Sequence, residues 1–368
     1  MKIVVNREKF VEAFAVASGF APTRSPKEVL MNIRCRVFGD KVTLMATDLE
    51  SGISLDLEPG AAELLHAGDV LLNKERCGAI FREVSGDTFL IETHDHLVTI
   101  QTDNGRFELP TQNADEFPMP KQWDDEKCDA TISTKLLREL IQRTVFCCDT
   151  ETTRYALGGV RFEIAKGGEI VAVGTDGRRL AVQKGSCNSV KESSGIVPAK
   201  QAGLIARVIN GEECKIAIGN NDILVKCDRA TVYSRLVEGR YPNWTQVIPR
   251  NESYKRALVT CGPFASCVRQ AAIVSEVESR GVLFRFSKEE CSMRSETADV
   301  GKSNIRTPIS FSDDESVEAQ LDHRYVSDFM RVVPPESKVE LRITTAQEPI
   351  MAVTQDGYSY VIMPMARS

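Results

Sequence analysis

The sequence predicts an α+β fold in which one unit of two helices and several antiparallel strands occurs three times. Two internal registers and one periodicity carry this reading. The segments KIVVNREKFVEAF, DATISTKLLRELI and ALVTCGPFASCV each read as strand, cap and helix, and their cap candidates Asn6, Ser133 and Thr260 are separated by 127 residues in both intervals. A second helix recurs as IFREV, IARVI and FMRVV, carrying Arg82, Arg207 and Arg331 at intervals of 125 and 124. Stretches such as KVTLMATDL, GEIVAVGTDG, RGVLFRFS and KVELRITTAQEPIMAVT alternate with the period of half-buried antiparallel strands. Helices packed on antiparallel sheets make each copy α+β.

The elements follow in chain order. Asn6, Ser133 and Thr260 carry side-chain oxygens able to accept from the unpaired N–H groups of a first helical turn. Four residues on stand Phe10, Leu137 and Phe264, and four further Phe14, Ile141 and Val268, the i, i+4 stripe of a helix lying on a sheet. The six expected helices run over 7–18, 73–84, 134–146, 198–209, 263–274 and 322–333. Between copies, ADEFPMPKQWDDEK and EGRYPNWTQVIPRNES combine Pro, charge and aromatic residues as extended surface connectors do. Boundaries near Lys127 and Ser253 give domains 1–127, 128–253 and 254–368. A period near 127 exceeds the ~20–50 residues of solenoid repeats, so whole domains are duplicated.

Composition narrows the function. A chain of 368 residues with 42% hydrophobic and 27% charged residues suits a soluble protein of two or three domains. Its first residues mix charge with apolar side chains, so neither a signal peptide nor a membrane span is expected. Eleven cysteines without any C-x-x-C point to a reducing cytoplasm. Gly301-Lys302-Ser303 imitates a P-loop ending, but Glu296 holds the place of the first glycine. His94 and His96 would face the same way on an alternating strand among polar neighbours, a solvated face rather than a metal site. With four histidines and no G-x-S-x-G elbow, catalysis has little support; no metal or cofactor is expected.

Tandem domains present unlike head and tail surfaces, and repeating such a contact gives a closed ring or an open filament. Three domains could close alone or pair with a second chain to make six. The expected helices together carry +6 in a chain of net charge −6, so basic side chains concentrate on helices. Helices facing phosphates need that division, although Arg is also a good helix former and favoured near helix C-termini.

At GTDGRRLAV (174–182), LVEGRYPNW (236–244) and the terminal YVIMPM (360–365), with the start MKIVVNREKF, TDLESGI (47–53) and IVPAK (196–200), the chain resembles the bacterial beta sliding clamp family, the beta subunit of DNA polymerase III. The resemblance runs end to end. It implies a head-to-tail homodimer of three-domain crescents that encircles duplex DNA, helices inward, as a non-catalytic processivity factor. Partners implied are double-stranded DNA, the polymerase III alpha subunit, the clamp loader, and other polymerases and repair proteins bound through short linear peptides. The cleft for these carries over to Arg154, Leu157, Thr175, Gly177, Arg178, Arg179, Leu180, Pro242, Val247, Val361, Met363, Pro364 and Met365. Leu, Val and Met side chains make a deformable apolar pocket suited to several partners, whereas without the resemblance Met363–Met365 reads rather as a last strand packed in a core. Arg24 and Lys200 carry over as DNA contacts, joining Arg82, Arg138, Arg207 and Arg331 of the basic helices. Phe107 and Leu109 would meet Ile273 and Val274 across the dimer seam, with Glu296 and Asp299 remaining of a family acidic cluster. The chain departs from the family pattern at Arg178, Ala199, Gln246 and Ala366. Two other readings share the repeat: a ring-shaped cytoplasmic scaffold for proteins alone, and a duplicate clamp resistant to a cleft-binding antibiotic.

Overall fold

The computed structural model describes residues 1–150, 155–249, 253–276 and 278–366. Among these, six α-helices occupy the expected places: α1 Arg7–Ser18, α2 Lys74–Glu83, α3 Thr134–Gln142, α4 Ala199–Val208, α5 Cys261–Ala271 and α6 His323–Arg331. α3 and α5 stop earlier than expected and are followed by tighter 3-10 turns, Val145–Cys147 and Ala272–Val274.

Local chemistry explains the starts. Asn6 accepts from the Lys9 amide at 3.1 Å and Ser133 from that of Leu136 at 3.5 Å. Thr260 does not cap α5: its hydroxyl accepts instead from Lys338 Nζ at 2.7 Å, the residue directly across the ladder. The cation is the stronger donor, so the cap expectation fails there. Asn73 and Asp322 cap α2 and α6. All six stripe residues are buried. Phe81 receives Phe10 edge-on at 5.3 Å and Phe14 at 4.9 Å, so α1 and α2 share one aromatic core. Each such ring contributes ~1.5–3 kcal/mol by burial alone.

The chain forms two compact units. The first comprises Met1–Arg138, Ile164–Gly168 and Cys187–Leu236. It holds a five-stranded antiparallel sheet ending in the edge strand Arg106–Pro110, and a nine-stranded one. The nine strands run continuously across two repeats because Ser51–Asp56 pairs with Ala230–Arg235, from Ala230 opposite Leu55 to Ser234 opposite Ser51. The second unit comprises Glu139–Glu163, Glu169–Ser186 and Val237–Ser368. Here Arg179–Ser186 pairs with Ser359–Ile362, from Arg179 opposite Ile362 to Val182 opposite Ser359. The pairs Ser51–Ser234 and Arg179–Ile362 differ by 128 residues on both strands, so the same junction is made twice in the same register. A four-stranded sheet in this unit ends in the edge strand Gly301–Pro308.

Two expectations change. His94 closes one strand, Leu97 opens the next, and Asp95 sits at the hairpin tip with φ of 50°, so the two histidines do not share a strand face. Gly301-Lys302-Ser303 begins a strand, in keeping with the rejection of a P-loop there. The connectors are not merely surface chain, for Phe117, Pro120 and Tyr241 are buried. All eleven cysteines are free thiols. Among the described residues no group of His, Cys, Asp or Glu could hold a metal, and no helix is long and apolar enough to cross a membrane.

Candidate functional site

The GTDGRRL segment forms a turn at the end of the strand Glu169–Thr175, and its geometry dictates its residues. A Cβ on Gly174 would stand 2.1 Å from the carbonyl oxygen of Thr144, so only glycine permits this approach. Asp176 Oδ1 accepts from the Arg178 and Arg179 amides at 2.9 and 3.0 Å, and Thr175 Oγ1 accepts from the Gly177 amide at 3.1 Å while donating to Arg179 O at 2.6 Å. Gly177 takes a φ of 86°, which favours glycine. Four hydrogen bonds thus freeze the turn.

The two arginines of the turn diverge. Arg178 is exposed. The Arg179 side chain is only 10% exposed and fully engaged: Nε donates to Asp176 at 3.0 Å, Nη1 to Asp328 at 2.7 Å and Nη2 to Phe146 O at 2.8 Å. Its guanidinium also lies 4.5 Å from the Tyr325 ring centroid and 5.5 Å from that of Phe146. Arg179, expected at the cleft as a peptide contact, is therefore a strut beneath it. Asp328, Tyr325 and Phe146 were not foreseen; nothing local in sequence links residues so far apart.

Around this turn the second unit gathers apolar groups. Leu180 and Val361 are directly paired and buried as a floor. Leu157 is buried in the turn Tyr155–Leu157. The last residues leave the sheet yet remain tethered, since the Met363 amide donates to Arg178 O at 2.9 Å and that of Met365 to Gln320 O at 2.8 Å. Met363 is 43% exposed and Pro364 and Met365 half-buried, so this segment is a surface strip and not a core strand. The connector is pinned by Tyr241, whose hydroxyl donates to Val173 O at 3.1 Å, and by Trp244 Nε1 to Glu163 at 3.4 Å. That leaves Pro242, Gln246 and Val247 exposed. Arg154 lies outside the described residues. Apolar groups above tethered backbone can accept a short extended peptide.

Among the basic candidates, Arg24, Arg82, Lys200, Arg207 and Arg331 are exposed. Arg82 donates to Gly78 O within its own helix at 3.1 Å, and Arg331 lies 3.5 Å from Asp328. Arg138 differs: half-buried, it donates to the Ala206 and Ile209 carbonyls at 3.1 and 2.5 Å, capping the end of α4. Lys74, not foreseen, is close enough to Lys200 that burial first and that charge second lower its pKa. Its Nζ donates to Ala21 O at 2.7 Å.

Of the seam candidates, Phe107 and Ile273 are 42% and 76% exposed, and Leu109 and Val274 half-buried. Phe107 and Leu109 belong to the edge strand Arg106–Pro110, while Ile273 and Val274 form the turn after α5.

Comparison with known proteins agrees across all three repeats. Profiles of the DNA polymerase III beta subunit match with its N-terminal domain at 1–121, its central domain at 131–243 and its C-terminal domain at 245–366. The beta sliding clamp of Salmonella typhimurium is 27% identical over 377 residues, covering 99% of this chain and 100% of the relative. The beta subunit of Streptococcus pyogenes DNA polymerase superposes with a TM-score of 0.91 at 19% identity, and the Bacillus subtilis sliding clamp with 0.89 at 22%, each covering 100% of both chains. The chain belongs to the DNA polymerase III beta-subunit family, the sliding clamps that serve the replicative polymerase as non-catalytic processivity factors.

Proposed function

We propose that the chain acts as a homodimeric ring around duplex DNA, built from domains 1–127, 128–253 and 254–368 in each copy, and works in the cytoplasm. The observation that carries this is the repeated junction. Two copies of one strand pairing, in one register, leave a third pair of matching edges unused, Arg106–Pro110 and Gly301–Pro308. A second copy of the chain satisfies both sets, and head-to-tail contacts made this way close instead of growing.

The exposed Arg82, Lys200, Arg207, Arg331 and Arg24 would meet phosphates loosely, holding DNA without reading bases, as sliding requires. The apolar strip formed by Leu157, Gly177, Leu180, Pro242, Val247, Val361 and Met363–Met365, with Thr175 and Arg178 at its edge, would receive short peptides from the polymerase III alpha subunit, the clamp loader, and other polymerases and repair proteins. The flexible Met side chains suit several ligands in turn.

Loading onto nicked circular DNA by a bacterial clamp loader with ATP, followed by linearisation with a restriction enzyme, tests the ring. Release only after cutting is the expected result. Retention on the linear product would overturn the topological reading and leave ordinary DNA binding.

A further inference from the structure

The edge strands carry enough information to specify how two copies recognise each other; this step rests on the ring reading above. Ladder registers within the repeats fix the correspondence. Asp222–Arg235 and Leu97–Pro110 are the same ladder pair in the second and first repeats, so Ser234 corresponds to Leu109 and Tyr233 to Glu108. Thr47–Gly52 and Glu296–Lys302 are likewise equivalent in the first and third repeats, so Ser51 corresponds to Gly301 and Gly52 to Lys302. Transferring the pairing of Ser234 with Ser51 puts Leu109 opposite Gly301, Phe107 opposite Ser303 and Glu108 opposite Lys302.

Side-chain direction checks this register independently. Ser303 Oγ donates to Ala271 O of α5 at 3.0 Å, so the odd-numbered residues of its strand face the helix layer. Leu109 and Phe107 stand directly across from the buried Val98 and Ile100, and Ile100 in turn from Ile91, on the strand face whose Phe89 stacks on Phe81 of α2, so the odd-numbered residues of the strand Arg106–Pro110 face α2. The transferred pairing joins helix side to helix side, placing Phe107 and Leu109 on the face that carries the exposed Ile273. A slip of one residue would turn both to the opposite face.

On the outer face the even-numbered residues meet. Within a single chain Glu108 has Arg106 at 2.6 Å and Lys302 has Glu296 as partners, and these side chains are about half to three-quarters exposed. We propose that Glu108 of one chain pairs with Lys302 of the other at both seams, making this acid–base pair the determinant by which the clamp selects its own copy. Cross-strand opposite charges stabilise a ladder and like charges directly opposite weaken it.

The test is charge exchange, followed by sedimentation of the full-length chain over a concentration series. Glu108→Lys and Lys302→Glu each place two like-charge pairs in the homodimer, and each should raise its dissociation constant on the order of tenfold. Mixing the two variants gives a heterodimer with opposite charges at both seams, so association should return to the wild-type range; the double variant should do the same. Recovery on mixing also shows that neither variant is misfolded. Singles that dimerise as wild type, or a mixture that fails to recover, overturn the pair while a dimeric wild type keeps the ring reading. A wild type that stays monomeric at micromolar concentration overturns both.

Discussion

Replacing Arg179 by alanine separates a strut from a ligand. Arg179 makes three charge-assisted hydrogen bonds, to Asp176, Asp328 and the Phe146 carbonyl, at 2.7–3.0 Å. Truncation leaves two carboxylates facing a void, and breaking a buried pair from one side costs ~3–5 kcal/mol. The Asp328 side chain keeps 24% exposure, so water can partly replace the lost partner and the lower end, ~3 kcal/mol, applies. At ~2–4 °C per kcal/mol for a unit of this size, the melting temperature of the second unit should fall by about 6–12 °C. Binding of a labelled polymerase peptide should weaken in parallel, because the turn carrying Arg178 and receiving Met363 loosens. Arg179→Lys should fall between, retaining charge but losing the planar fork and the stacking on Tyr325. Scanning calorimetry with fluorescence anisotropy reads both effects. If Arg179→Ala leaves the melting temperature unchanged and abolishes peptide binding, the side chain is a direct peptide contact and the strut assignment is wrong.

Other expected outcomes test separate parts of the molecule. Gly174→Ala forces a methyl onto the Thr144 carbonyl, 2.1 Å away, and should cost ~3–5 kcal/mol in denaturant titration; a loss below ~1 kcal/mol would mean the strand can shift freely. Lys200→Glu with Arg207→Glu should shorten retention on circular DNA and flatten its salt dependence with little change in melting. Arg138→Glu should instead lower stability first, since it removes two bonds to α4 carbonyls, ~1.5–3 kcal/mol each; equal melting for the two sets would refute that distinction. A thiol reagent at pH 8 should label the half-buried Cys128, Cys187 and Cys267 first, whereas burial holds the Cys35, Cys77 and Cys148 thiols up to about 12 and keeps them protonated. Mass spectrometry of early labelling that found Cys35 or Cys77 modified would show that the first repeat opens.

The repeat was legible because it is written in local chemistry: caps, i, i+4 apolar pairs and alternating strands recur at fixed spacing. What stayed hidden depends on partners distant in sequence. Thr260 has the right chemistry for a cap, yet Lys338 takes its hydroxyl, and only the ladder register brings them together. Arg178 and Arg179 are identical neighbours, and one faces solvent while the other is enclosed, because a strand begins between them and alternates its side chains. Arg138 looks like every other helical arginine until the end of α4 is found beside it. The cleft residues themselves came through resemblance to the clamp family, since Met-Pro-Met at a chain end says little by its composition.

The repeats also explain why an apolar strip is open at one junction and closed at the other. In the first unit the residue corresponding to Leu180 is Gly52, and the connector lays Pro120 against it, close enough that a Cβ there would sit 3.1 Å away. Phe117 packs nearby on Met45 and Leu71, so that junction is roofed by its own chain. In the second unit Leu180 raises the floor, and the connector is instead drawn down by Tyr241 onto Val173 O, leaving Pro242 and Val247 at the surface. The strand at this junction leads into Met363–Met365, held by two backbone bonds, with Met363 exposed and Pro364 and Met365 half-buried. Apolar area worth ~25 cal/mol per Å² is thereby left at the surface of the second junction, where the first junction buries it. The first junction is closed by its own chain and the second stays open, although both are the same ladder in the same register; on the proposed function the open one would receive the peptide. Filling the second from within, as Leu180→Gly combined with a connector copied from 117–123 would do, should stabilise the unit and abolish peptide binding together; a filled junction that still bound peptide would place the site elsewhere.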